Sequence, residues 1–129
     1  MEEKCPCCVL IVEDNPIIAA HLFQKIEQLG CSVTGVVTSG KEALRTIGDN
    51  PPDALIVNVH LEGRMTGIQL IRRVRIKSEL PVVLFSGVRE SEIPTPLVRQ
   101  PNVTFLPKPF LSYQLKTSLM NAMAFGIKC

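Results

Sequence analysis

A chain of 129 residues, 46% hydrophobic and 5% aromatic with no Trp, has the length and composition of one globular domain. Fourteen Lys+Arg against twelve Asp+Glu leave a formal charge of +2, too little to argue for a nucleic-acid or membrane partner. No apolar run approaches the ~18 residues of a membrane span, and the acidic start Met1-Glu2-Glu3-Lys4 does not read as an export signal. The expectation is a single domain over residues 1–129, cytoplasmic, with no nucleic acid and no membrane bound. Five cysteines, an odd number, fit free thiols better than a disulfide framework. Cys5-Pro6-Cys7-Cys8 is an unusual cluster, but Cys31 and Cys129 stand at no ligand-like spacing from it, so it reads as fortuitous.

The first apolar run, Val9-Leu10-Ile11-Val12, predicts a strand. Ile18, Leu22, Ile26 and Leu29 then step by three and four, predicting a helix that Gly30 stops. A second strand is expected over Val33 to Val37. Ser39 can cap a helix carrying Ala43, Leu44 and Ile47, ended by Asn50-Pro51-Pro52. Ala54-Leu55-Ile56-Val57 predicts the third strand, and Ile68, Leu70, Ile71 and Val74 the third helix. The fourth strand is Val82-Val83-Leu84-Phe85. A fourth helix is due after it, but Pro94, Pro96 and Pro101 fall there, and a proline inside a helix costs about 3 kcal/mol. That helix is expected to be short or broken. Val103-Thr104-Phe105-Leu106 predicts the last strand, and Ser112 can cap a last helix carrying Leu115, Leu119, Ala122 and Met123, with Gly126 after it.

Strand and helix thus alternate five times, and most strands are continuous apolar runs, as strands covered on both faces should be. The pattern asks for a parallel sheet with right-handed crossovers and helices on both faces. Chemistry in such sheets collects beyond the carboxyl ends of the strands. There stand Glu13 and Asp14 after strand 1, Asn58 at the end of strand 3 with His60 after it, Ser86 at the end of strand 4 and Lys108 just past strand 5. No phosphate-cradling glycine loop follows strand 1, where Glu13-Asp14-Asn15-Pro16 stands instead, and no cysteine nucleophile sits at a strand end with a basic cradle. An enzyme is not expected.

Four segments, in order and spacing, carry a resemblance: Val9-Leu10-Ile11-Val12-Glu13-Asp14-Asn15-Pro16, Pro52-Asp53-Ala54-Leu55-Ile56-Val57-Asn58-Val59-His60-Leu61, Pro81-Val82-Val83-Leu84-Phe85-Ser86-Gly87 and Lys108-Pro109-Phe110. Over nearly its full length the chain resembles a receiver domain of two-component response regulators. The resemblance implies an α/β, flavodoxin-like (βα)5 fold with a five-stranded parallel sheet in the order 2-1-3-4-5. It implies that Glu13, Asp14 and the backbone carbonyl of His60 match the residues that hold Mg²⁺. Ser86 and Lys108 match the groups that contact the phosphoryl group, and Phe105 matches the aromatic switch position. Each has a plainer reading beside it. Glu13 and Asp14 can cap the first helix and meet its dipole, Lys108 can be a solvated loop charge, and Phe105, which has no hydroxyl to trade, can simply be buried.

The phosphoacceptor position departs from the family. The family has Asp at the end of strand 3, and this chain has Asn58. Acyl-phosphate formation needs a carboxylate oxygen as nucleophile, and a neutral carboxamide also weakens a Mg²⁺ site by one charge. The chain is therefore expected not to take phosphate at position 58 and to bind Mg²⁺ weakly or not at all. Asn58 is either native, making a pseudo-receiver that signals by binding, or a replacement for Asp in an ordinary phosphoacceptor or a fragment of a larger regulator or hybrid kinase. Other departures favour the first: a connection from Asn58 to Gly67 one residue longer than the common form, without the usual proline, and the proline-interrupted fourth helix. The partners implied are a histidine kinase, a phosphotransfer protein or another regulator, docking on helix 1 with Ile17, Ile18 and Ala20. Arg64, Arg72, Arg73, Arg75 and Lys77 make the third helix region basic, but no helix-turn-helix follows, so a solvated face is expected.

Overall fold

A computed structural model describes residues 7–61, 63–87 and 92–124. The elements run β1 (Cys8–Val12), α1 (Pro16–Gln28), β2 (Ser32–Val37), α2 (Gly40–Asp49), β3 (Ala54–Asn58), α3 (Gly67–Lys77), β4 (Val82–Ser86), α4 (Thr95–Val98), β5 (Val103–Pro107) and α5 (Ser112–Met123). The strands form one parallel sheet in the order β2-β1-β3-β4-β5. This is the order the resemblance implied. Cys5, Gly126 and Cys129 lie outside the described residues.

Alternation along each strand splits the core into two layers. Val9 and Ile11 join Ala54, Ile56, Val83, Phe85 and Leu106 under α1 and α5, where Leu22, Ile26, Leu115 and Leu119 meet them. Leu10 and Val12 join Leu55, Val57, Val82, Leu84 and Val103 on the other face, against Leu70, Ile71 and Val74 of α3 and Leu97 of α4. Both faces are covered, which is why β1, β3 and β4 read as unbroken apolar runs.

The local signals act as their chemistry requires. Asn15 caps α1, its Oδ1 accepting from the N–H groups of Ile17 and Ile18 at 2.9 and 3.2 Å, and Pro16 fits the first helical position without losing a bond. Gly30 takes φ 92° just beyond α1, a left-handed conformation that closes the helix. Ser39 caps α2 by accepting from Glu42 N–H at 3.2 Å. The fourth helix is reduced to Thr95–Val98 between Pro94 and Pro101, as the prolines predict. The start of α5 differs from expectation. Ser112 is its first helical residue, not its cap; Leu111 holds the cap position, and Gln114 Oε1 reaches back to accept from Leu111 N–H at 2.7 Å.

Candidate functional site

The site follows from strand register. Ile11 pairs with Ile56 and Val12 with Val57, so the next step sets Glu13 beside Asn58, on the face of Val9, Ile11, Ala54 and Ile56. Asn58 pairs in turn with Phe85. Glu13, Asn58 and Phe85 therefore stand in a row across three neighbouring strands, at the sheet edge where the strands end. All three are buried, Glu13 at 1% exposure and Asn58 at 5%.

The row is closed by hydrogen bonds. Asn58 Nδ2 donates to Glu13 Oε1 at 2.9 Å, and Asn58 Oδ1 accepts from His60 N–H at 3.2 Å. The amide orientation is forced, because the reverse would set oxygen against carboxylate and nitrogen against an N–H donor. Glu13 Oε2 accepts from Asn15 N–H at 2.9 Å. Each Glu13 oxygen thus has an N–H partner. Burial pushes the Glu13 carboxyl above its ordinary range; the Asn15 and Asn58 donors and the positive charge of Lys108 oppose that, and the neighbouring Asp14 carboxyl adds to it.

Lys108 is half-buried, not a free loop charge. Its Nζ lies 4.6 Å from the centroid of the Phe85 ring, a cation–π contact, and its N–H donates to the Ser86 carbonyl at 2.9 Å. Phe85 meets Phe110 edge to face at 5.6 Å, and Phe110 meets His21 of α1 at 5.5 Å. The Lys108–Pro109 peptide is cis. Ser86 is fully buried, and strand alternation sets it with Leu84 on the face opposite Asn58. Asp14 is half-buried at the rim, and the His60 side chain is exposed. Phe105 is half-buried against the Leu84 layer, with its carbonyl accepting from Ser118 Oγ at 3.4 Å.

Sequence reasoning missed two residues that build the site. Phe85 holds the lysine, a role that only register reveals. Gly67 supports Asn58 from α3. Its N–H donates to the Val59 carbonyl at 2.8 Å, and a Cβ there would land on the Asn58 carbonyl oxygen and 3.0 Å from Val57 Cγ1. Only glycine permits this approach, a signal present in the sequence as Thr66-Gly67. The basic helix is also less uniform than expected. Arg72, Arg73 and Lys77 are exposed, but Arg75 is half-buried and its Nε donates to Gln100 Oε1 at 2.8 Å.

The donor set fits Mg²⁺ poorly as it is bonded here. A hard divalent cation takes oxygen ligands. Asn58 turns nitrogen toward Glu13, and Glu13 directs both oxygens at N–H donors. Among the described residues, no three His, Cys, Asp or Glu side chains gather as a metal site.

Residues 9–120 match the response regulator receiver domain family. The chain is 27% identical over 113 residues to the transcriptional regulatory protein MalR of Bacillus subtilis, covering 86% of this chain and 48% of that one. It thus spans about half the length of that relative. Among solved structures it resembles a putative response regulator from Chloroflexus aurantiacus, with TM-score 0.81, 33% identity, and 92% and 98% of the two chains covered. It also resembles the signal receiver domain of a modulated diguanylate cyclase from Desulfovibrio desulfuricans, with TM-score 0.80, 31% identity, and 92% and 94% covered.

Proposed function

The chain belongs to the response regulator receiver domain family, and from that premise we propose that it is a receiver acting by docking, with no phosphoryl transfer to position 58. One observation carries this reading: the 2.9 Å hydrogen bond from Asn58 Nδ2 to Glu13 Oε1. A receiver with Asp at this position sets two carboxylates side by side and needs a cation or a proton between them. Asn58 removes that need. Its amide gives Glu13 a donor where a cation would otherwise serve, and it has no carboxylate oxygen to attack a phosphohistidine or an acyl phosphate.

The residues that match the phosphoryl-contacting groups keep structural work of their own. Lys108 offsets the buried charge of Glu13 and lies on Phe85. Ser86 anchors the turn that carries Lys108 through its backbone carbonyl. Phe105 sits in the α3-side layer, where its ring contributes burial. In this reading the site is a locked hub, and Mg²⁺ binds weakly or not at all.

Docking falls to the exposed side of α1. Ile17 is 80% exposed, and Ala20 is exposed beside it. Ile18 packs partly against the core and supports the helix from beneath. The partner is a histidine kinase, a phosphotransfer protein or another regulator, and the setting is cytoplasmic. Among the described residues no helix is long and apolar enough to cross a membrane. The domain comprises residues 1–129, and no reaction is assigned to it.

The test is intact mass after incubation with Mg²⁺ and a small acyl phosphate, for the protein and for Asn58→Asp side by side. The expected result is one phosphoryl group on the variant and none on the parent. A phosphoryl group on the parent, mapped to the peptide containing Asn58, overturns the reading.

A further inference from the structure

The cysteine cluster gains a partner once register is known. Cys8 pairs with Ser32 and Val9 with Val33 in parallel β1 and β2, and Ser32 N–H donates to the Cys7 carbonyl at 2.8 Å. One step earlier, Cys7 therefore stands opposite Cys31. Both side chains fall on the same face. Cys7 continues the row of Val9 and Ile11, Cys31 continues that of Val33, and all five belong to the layer under α1 and α5. Neighbouring strands lie about 4.8 Å apart, inside the 4.4–6.8 Å Cα separation that a disulfide accepts. The Cys31 sulfur lies close enough to act on the Cys7 thiol. Cys8 points the other way and is exposed. The proximity is invisible in the sequence, where α1 separates the two.

We propose that Cys7 and Cys31 are a disulfide-forming pair, oxidised by a low-molecular-weight disulfide, that staples the start of β1 to the start of β2. Cys31 is half-buried and Cys7 is buried. Burial, with the Cys31 sulfur beside it, pushes the Cys7 thiol far up, so Cys31 is the thiol that meets the oxidant first. The Cys31 thiolate attacks one sulfur of the small disulfide, forming a mixed disulfide and releasing one small thiolate. The Cys7 sulfur, losing its proton to solvent, then attacks the Cys31 sulfur and releases the second. In balance, two protein thiols and one small disulfide give one protein disulfide and two small thiols. The protein pair is oxidised, the small disulfide is reduced, and the two protons end on the released thiols. Closure gives up the contact of Cys7 Sγ with Met123 Sδ at 3.6 Å.

The bridge closes a loop that contains all of β1's site end and α1. It therefore constrains the unfolded chain through the segment carrying Glu13, Asp14 and the docking helix. It leaves the Asn58–Glu13 bond at the opposite end of the strands in place.

The test uses the full chain with Cys5→Ser and Cys8→Ser, which leaves Cys7, Cys31 and Cys129. It is treated with oxidised glutathione, and the thiols are alkylated and digested. The expected result is a mass lower by two hydrogens, a cross-link between the peptide holding Cys7 and the peptide holding Cys31, and a melting temperature raised by about 10 °C that reductant reverses. Adding Cys31→Ser, at a half-buried position, abolishes both the cross-link and the rise. Stable glutathione adducts without closure, or a bridge from either thiol to Cys129 instead, overturn the proposal. So does a cross-link without a change in melting temperature, since a closed loop must show in the unfolded state.

Discussion

Asn58→Asp places a second carboxylate where the amide now donates to Glu13 at 2.9 Å. Two unit charges about 4 Å apart repel by about 4 kcal/mol at an effective dielectric of about 20. The pair can escape that by taking up a proton. Holding a carboxyl of ordinary pKa protonated at pH 7 costs about 4 kcal/mol, which caps the penalty at about the same figure. The positive charge of Lys108 already acts on Glu13 and recovers part of it, so the net loss is about 2–3 kcal/mol without divalent cations. For a domain of this size that is a fall in melting temperature of about 10 °C. The shared proton raises the folded-state affinity of the pair above that of unfolded carboxyls. Its stability contribution is thus present below the ordinary carboxyl range and lost as pH rises through the folded value. The deficit is therefore smaller at pH 5 than at pH 7. Mg²⁺ at about 100 times its dissociation constant returns about 2.7 kcal/mol to the variant, and does little for the parent. The assay is thermal denaturation by circular dichroism at both pH values, with and without Mg²⁺. A variant that melts within about 2 °C of the parent at pH 7 in chelator refutes the reasoning.

Gly67→Ala drives a Cβ onto the Asn58 backbone, so it should cost more than about 3 kcal/mol or prevent folding, read from the urea midpoint; a midpoint near the parent's would show that α3 can yield. Asn15→Ala removes the side-chain acceptor for two N–H groups of α1 and should cost about 1 kcal/mol. The Glu13–Asn15 bond survives that change because Asn15 donates through its backbone. Carbon-13 NMR should find the Glu13 carboxyl titrating above the usual range, and Lys108→Met should move it higher, since a charge that opposes the shift is gone. The stability that follows from Glu13 has the same sign as above: present at low pH, and declining as pH rises through its folded value. A Glu13 midpoint below the ordinary range would contradict the burial argument.

The fold was legible because its signals were local and strong. Continuous runs such as Ala54–Val57 announce strands covered on both faces, Ser39 and Gly30 mark helix ends, and three prolines shorten α4. The cap of α5 was misplaced because Gln114, not Ser112, supplies the oxygen that meets the backbone at that end. Asn58 stands out by its place at the end of strand 3, but its bond to Glu13 depends on β1–β3 register. The same is true of Phe85 beneath Lys108 and of Cys7 beside Cys31. Periodicity tells which face a residue takes, but not which residue of the neighbouring strand stands beside it. That information is set by the packing of the whole sheet.

The most direct measurement of the central claim is an NMR titration of the Asn58 side-chain amide with Mg²⁺. The claim is that this amide stands where a cation would otherwise serve Glu13. The account predicts two separate, slowly exchanging amide protons, one shifted by the Glu13 carboxylate, that stay in place as Mg²⁺ is added. A saturable shift, with the amide released from Glu13 as the ion binds, would contradict it.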